Sequence, residues 1–197
     1  MAALPKNPQR RRVVGTLLGL VAMPNWAAPA ADAFASNFQG LALRDQDDRA
    51  FDIGRLAGRV LLVNFIYTGC STVCPVQTQV LAQVQADLPA DVRTGVHFVS
   101  VSLDPLADTP AALKAYAARF SVDLRRWSFV TGRPTDVERV SERLRLFRRE
   151  DTVRRPDDHA TTLWLVDARG RLVQRLHGQP PDARRLGSEL AVLRRMG

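Results

Sequence analysis

The two cysteines of this 197-residue chain stand four positions apart, at the one place where an apolar run turns into a helical pattern. Residues 60–67 are rich in Val, Leu, Ile and aromatics, the composition of a strand buried on both faces. Thr68 and Gly69 break the run, and Cys70, Cys74 and Pro75 follow. Val76, Val80, Leu81 and Val84 then recur at helical spacing, to about Asp87, where Pro89 closes the segment. The stretch therefore predicts a buried strand, a tight turn bearing two thiols, and an amphipathic helix.

The rest of the chain repeats this alternation. Residues 41–43 and 51–53 flank the polar turn 45–48, a short hairpin ahead of the core. Residues 96–103 form a second apolar strand ending at Asp104-Pro105. Thr109 caps a helix with Pro110 at its first position, and Leu113, Tyr116, Ala117 and Phe120 line one face. Residues 127–131 read as a short strand. Thr135 to Glu138 reads as a capping box opening a helix with Val137, Val140, Leu144 and Phe147 inward. Residues 148–158 are charged, contain Pro156 and lack periodicity, hence a loop. Residues 162–166 and 172–176 flank a turn at 167–170, and Leu186, Leu190 and Leu193 mark a last helix. Strands separated by helices, then a hairpin and a helix, define an α/β class. The expectation is a thioredoxin-like fold: a central mixed sheet flanked by helices, with an extra N-terminal β-hairpin.

Residues 1–35 have the layout of an export signal. Arg10, Arg11 and Arg12 precede the uninterrupted apolar run 13–23, and small residues follow, with an Ala-x-Ala pattern at 33–35. The run is shorter than the roughly 20 residues of a spanning helix, which favours a cleaved signal over an uncleaved anchor. The expected division is a signal at 1–35 and one domain at 36–197, exported to the periplasm, with tethering to the inner membrane as the alternative. The consecutive arginines leave both general and twin-arginine export open. The charge is +8, from 28 Lys and Arg against 20 Asp and Glu. These arginines are spread over several helices and loops, and no RNP-type or Cys/His finger pattern is present. The charge is read as a solvated surface fit to meet an acidic partner or lipid headgroups, with no nucleic-acid partner.

In an open α/β sheet, ligands gather beyond the carboxyl ends of the strands. Cys70 and Cys74 fall there, at a helix start whose free N–H groups and dipole stabilise thiolate. Residues i and i+4 share a helix face, so the pair can chelate one soft ion or close into a disulfide. The spacing alone does not choose. A metal needs further ligands. Of the three histidines, His97 lies inside an apolar strand and reads as a core residue, and His177 ends the last strand beside Gly178. His159 ends the irregular loop, which could fold over the sheet edge towards the thiols. On position alone it is balanced between ligand and surface residue. Two sulfurs and an imidazole suit Cu(I), or Cu(II) with a weak added ligand, better than zinc, which takes four ligands in a structural site.

TGCSTVCP at 68–75, SLDPLADTP at 102–110 and DHATTLWLVDARGRLV at 158–173 together resemble the Sco/SenC family of copper-handling proteins. The resemblance covers the chain from about Leu41 to Gly178. It implies a thioredoxin-like fold with copper held by Cys70, Cys74 and His159. It also implies a role in assembling the dinuclear copper centre of cytochrome c oxidase, by delivering copper, by reducing the target thiols, or both. The implied partners are the copper-centre subunit of the oxidase and another periplasmic copper chaperone or thioredoxin-like reductant. Asp104 matches an aspartate of the family motif near the site and would support the ligands from behind; on its own it reads equally as a helix-entry turn residue. Ser71 stands where many relatives have proline, and Ala160 where serine is common. The apolar N-terminal run is shorter than the membrane anchor of many relatives.

The competing reading is a thiol-disulfide oxidoreductase acting on periplasmic partner cysteines, with Cys70 and Cys74 as the redox pair and His159 peripheral. A peroxidase is disfavoured, because the pattern expected before Cys70 is missing. A purely structural disulfide would close a tiny loop and constrain the unfolded chain least.

Overall fold

Every residue of β3 (Val60–Ile66) and β4 (Val96–Ser102) is buried, as in strands at the centre of a sheet covered on both faces. In the computed structural model, which describes residues 34–147, 161–177 and 182–197, these two pair in parallel from Val60↔Val96 to Ile66↔Ser102. The sheet has seven strands in the order β2-β1-β5-β4-β3-β6-β7. β5 (Trp127–Gly132) continues the parallel core beside β4. β6 (Thr162–Val166) runs antiparallel beside β3, and β7 (Leu172–His177) pairs antiparallel with β6. At the other edge β1 (Leu43–Arg44) pairs antiparallel with β5 and with β2 (Ala50–Phe51). Gln46, in the turn between β1 and β2, is buried and accepts the Phe129 N–H at 2.9 Å.

The helices are α1 (Val73–Asp87), the single turn α2 (Ala90–Arg93), α3 (Pro110–Ala118), α4 (Pro134–Arg143) and α5 (Ala183–Met196). Residues of α1, α2, α3 and α5 share one core with Leu62, Phe98, Trp127 and Phe129. α4 and two 3₁₀ turns (Ala35–Phe38, Ile53–Leu56) share the core on the opposite sheet face with Val63, Val99 and Trp164. The mixed sheet between helices is the expected thioredoxin-like architecture.

Three local expectations are corrected. α1 begins at Val73, not after Pro75. Its inward face is Cys74, Gln77, Thr78, Leu81, Ala82, Val84 and Gln85, with Val76 exposed. The polar members can face inward because each finds a partner: Gln77 accepts from Asn64, Thr78 bonds Tyr116, and Gln85 bonds the Asp123 backbone. α4 starts at Pro134 with no side-chain cap, and Asp136 is instead held by Arg133 Nε at 2.6 Å, so Thr135 does not open a capping box. Thr109, by contrast, caps α3 as expected, accepting the Ala112 N–H.

Phe34 is 2% exposed, packs in the α4-side core, and donates its N–H to Gly170 O at 3.3 Å. The folded unit thus includes Phe34, two residues ahead of the expected boundary. Residues 1–33, 148–160, with the expected loop at 148–158 and His159, and 178–181 lie outside the described residues.

Candidate metal centre

β3 ends at Ile66, and the chain turns immediately, with the Cys70 N–H donated to Tyr67 O at 3.2 Å. α1 then starts at Val73 with Thr72 before it offering no side-chain cap. The first N–H groups of a helix have no internal acceptor. Here sulfur takes that place: the Cys74 N–H donates to Cys70 Sγ at 3.3 Å. Burial opposes charge on Cys70, but the N–H groups of Cys74, Thr72 and Val73 and the Cys74 thiol all favour its thiolate. The net result pulls Cys70 down to about 7. Cys74, 2% exposed on the inward face of α1, is pushed the other way, to about 12. Burial is the main cause, and negative charge on Cys70 and Asp108 adds to it, against an opposing N–H from Tyr67. Both cysteines are free. The site is a pair of unequal sulfurs at a helix mouth: one ready to be thiolate, the other a proton donor to it.

A second loop holds this turn in place. Asp108 is fully buried and accepts from the Thr68 N–H at 3.1 and 3.2 Å, from the Thr68 hydroxyl, and from the Ser102 hydroxyl at 2.6 Å. Ser102 in turn accepts the Asp104 N–H. One carboxyl therefore ties the β3–α1 turn to the β4–α3 loop. Asp104 is a turn residue in this arrangement: its carboxyl accepts from Ala107 N–H at 3.3 Å, and its backbone oxygen from Asp108 N–H at 2.7 Å. Sequence reasoning singled out the first aspartate of the DPLAD run; the geometry puts the second in contact with the cysteine turn. The signal available was a Thr two residues past β3 and a Ser ending β4, hydroxyls that can satisfy a buried carboxyl.

Behind the cysteines lies a buried polar chain. Asn64 donates to Gln77 at 2.8 Å, Ser100 donates to Asn64 at 2.7 Å, and Trp127 Nε1 donates to Ser100 at 2.9 Å, all buried. Beside it Thr78 and the Tyr116 hydroxyl meet at 2.9 Å. Burial pushes the Tyr116 phenol well above its usual range, and the two cysteines push it further.

Of the histidines, His97 is a core residue, with Nε2 2.9 Å from Ser128 Oγ and Arg59 against Nδ1. Burial, then the Arg59 charge, lowers it to about 4. His177 is exposed at the end of β7, 3.0 Å from Thr162 Oγ1. Among the described residues no three His, Cys, Asp or Glu side chains gather into a metal-holding group. Two sulfurs, one readily ionised, make a partial donor set that fits a soft metal and needs a ligand from beyond them.

A sheet of this topology with a dithiol at the first strand-to-helix turn defines a thioredoxin-like protein built for thiolate or soft-metal chemistry. The chain belongs to the SCO1/SenC family, whose profile matches residues 27–193. It is 30% identical over 141 residues to the SCO1 protein homolog of Bacillus subtilis, covering 68% of this chain and 70% of that one. It is 32% identical over 108 residues to a Stutzerimonas stutzeri protein named "Putative copper-binding protein", covering 54% of this chain and 50% of that one. Among solved structures, ScoI of Bradyrhizobium japonicum with copper bound superposes with a TM-score of 0.65 at 26% identity, over 78% of this chain and 96% of that one. BsSco, described with a disulfide switch in the Sco family of cytochrome c oxidase assembly proteins, superposes with a TM-score of 0.65 at 25% identity, over 79% and 91%.

Proposed function

We propose that this protein binds copper through Cys70, Cys74 and His159. It then delivers that copper to, or prepares the thiols of, the dinuclear copper centre of cytochrome c oxidase. The observation that carries the reading is the sulfur pair itself: Cys70 Sγ accepts the Cys74 N–H at the mouth of α1, with both thiols free. The copper-bound relative of the same fold supports it. The low-titrating Cys70 supplies the first thiolate, Cys74 loses its proton as the soft ion arrives, and His159 supplies the imidazole. Asp108 fixes the turn on which Cys70 rides.

Anaerobic Cu(I) titration of reduced protein tests this. One tight equivalent is expected for the wild type. Cys70→Ala and Cys74→Ala should lose it, and His159→Ala should weaken it by about a hundredfold or more. Unchanged affinity in His159→Ala would remove the three-ligand site.

A second reading, a thiol-disulfide oxidoreductase on periplasmic partner cysteines, is favoured by the split between the thiols. Cys70 would attack a partner disulfide, and Cys74 would resolve the mixed disulfide, leaving the partner as two thiols and this pair oxidised. Turnover by metal-free protein, undiminished in His159→Ala, distinguishes it.

The proposed setting is the periplasm. Cleavage after Ala35 would strip Phe34 from the core, so the proposed leader ends upstream of Phe34. Among the described residues no helix is long and apolar enough to cross a membrane.

A further inference from the structure

The thiols mark one end of the sheet, beyond the carboxyl ends of β3 and β4. The other end carries a different set of residues. Arg59 opens β3, and Arg55 sits in the 3₁₀ turn just before it. Arg169 lies in the turn between β6 and β7. Arg194 and Arg195 end α5, and a β-carbon at Gly95, the residue before β4, would collide with the Arg194 side chain. None of these five arginines is paired with a described carboxylate. Two carboxylates at the strand ends are already taken: Asp123 by Arg125 and Arg126, and Asp167 by Arg171.

Two observations say what such an end would meet. The last turns of α5 leave large apolar side chains in water: Val192 is 53% exposed and Met196, one helical turn on, 74%. Arginines beside exposed apolar residues on one helix end are the composition of an interfacial contact. The second is connectivity. Phe34 enters the fold at this same end, its N–H on Gly170 O, sharing a cavity wall with Leu56, Arg59 and Ala168. In the uncleaved chain the apolar run 13–23 is joined to the arginine end by the ten residues 24–33. A solvated charge pattern alone accounts for neither.

We propose that this end of the molecule seats on an anionic lipid surface, with Arg55, Arg59, Arg169, Arg194 and Arg195 over the headgroups and Val192 and Met196 against the acyl boundary. β3 is seven residues long, so at roughly 3.3 Å per residue the thiols stand about 20 Å or more above the lipid, facing away from it. The contact uses no copper chemistry, so its failure would leave the copper reading intact, and the converse holds.

The test is hydrogen exchange on the full chain in vesicles of phosphatidylcholine, with and without phosphatidylglycerol. Amides at 55–59, 168–171 and 192–197 should exchange about fivefold or more slowly with the anionic lipid, and amides at 68–74 equally in both. About 0.5 M NaCl should erase the difference. Arg55→Gln/Arg169→Gln/Arg195→Gln should lose it, and the corresponding Lys triple should keep it. Equal exchange in both lipids, protection centred on 68–74, or an undiminished effect in the Gln triple would overturn the proposal. So would equal protection of the same amides by free polyglutamate, which offers charge without an acyl boundary. The salt comparison on the wild type decides the matter even if the Gln triple does not fold.

Discussion

The two ends of the central sheet use charged and ionisable groups in opposite ways. Around the cysteine turn the polar groups are buried and satisfied: Asp108 accepts from Thr68 and Ser102, and sulfur takes the first N–H groups of α1. At the far end Arg55, Arg169 and Arg195 are exposed, Arg59 and Arg194 are half-buried at the strand starts, and burial, then the Arg59 charge, keeps His97 neutral. Buried polar contacts position atoms to fractions of an ångström and are costly to break; exposed charges act over a surface and cost little to change. One end is built for chemistry, the other for contact.

The largest expected effect tests the inequality of the thiols. In metal-free reduced protein at neutral pH, the gap between about 7 and about 12 favours Cys70 thiolate by roughly five decades. Lower nucleophilicity of the more acidic thiol returns about two of these, leaving Cys70 alkylated roughly a thousandfold faster. Peptide mapping after brief iodoacetamide treatment checks it, and comparable labelling of both cysteines would break the picture. The Cys70 rate should rise with pH through about 7 and then level off.

Next is Asp108→Ala. It strands the Thr68 N–H and hydroxyl and the Ser102 hydroxyl in a buried site, and is expected to cost about 4 kcal/mol in denaturant unfolding. Asp104→Ala, which loses a single bond to Ala107, should cost less than about 1 kcal/mol. If the two substitutions cost the same, Asp108 is not the tie between the loops.

His97 sharpens the comparison from the arginine end. Its folded pKa of about 4 lies below the 6.5 of an unperturbed imidazole. Between these values the unfolded chain binds the proton and the folded one does not. Stability should therefore be full above about pH 6.5 and fall as pH drops towards 4, by about 3 kcal/mol. His97→Gln should flatten that slope, measured as urea midpoints across the range. A slope unchanged by the substitution would assign it to other groups.

The smallest effect is expected from the exposed arginines. Arg55→Gln, Arg169→Gln and Arg195→Gln should each shift unfolding by less than about 0.5 kcal/mol, because they pair with no described carboxylate. A cost above 1 kcal/mol from any of them would show that this end is held by its charges.

Much of this was legible in the chain. Near-continuous apolar runs at 60–67 and 96–103 marked the central parallel strands, because a strand covered on both faces has no solvent side to fill with alternating polar residues. The cysteines at a strand-to-helix junction located the site, since a helix start offers unbonded N–H groups to sulfur. Thr109-Pro110 marked the start of α3 through local rules needing no tertiary partner. The inward face of α1 was misread: Val76 and Val80 looked like core, whereas Gln77, Thr78 and Gln85 are buried. A polar residue goes inside only when another element supplies its partner, and Asn64, Tyr116 and Asp123 do so from β3, α3 and the loop before β5. Asp108 escaped notice for the same reason: Thr68 lies forty residues away in sequence and within a hydrogen bond in space. Local pattern settled the elements and the position of the thiols. Tertiary packing decided which polar groups could be buried, and thereby the unequal acidity of the two sulfurs.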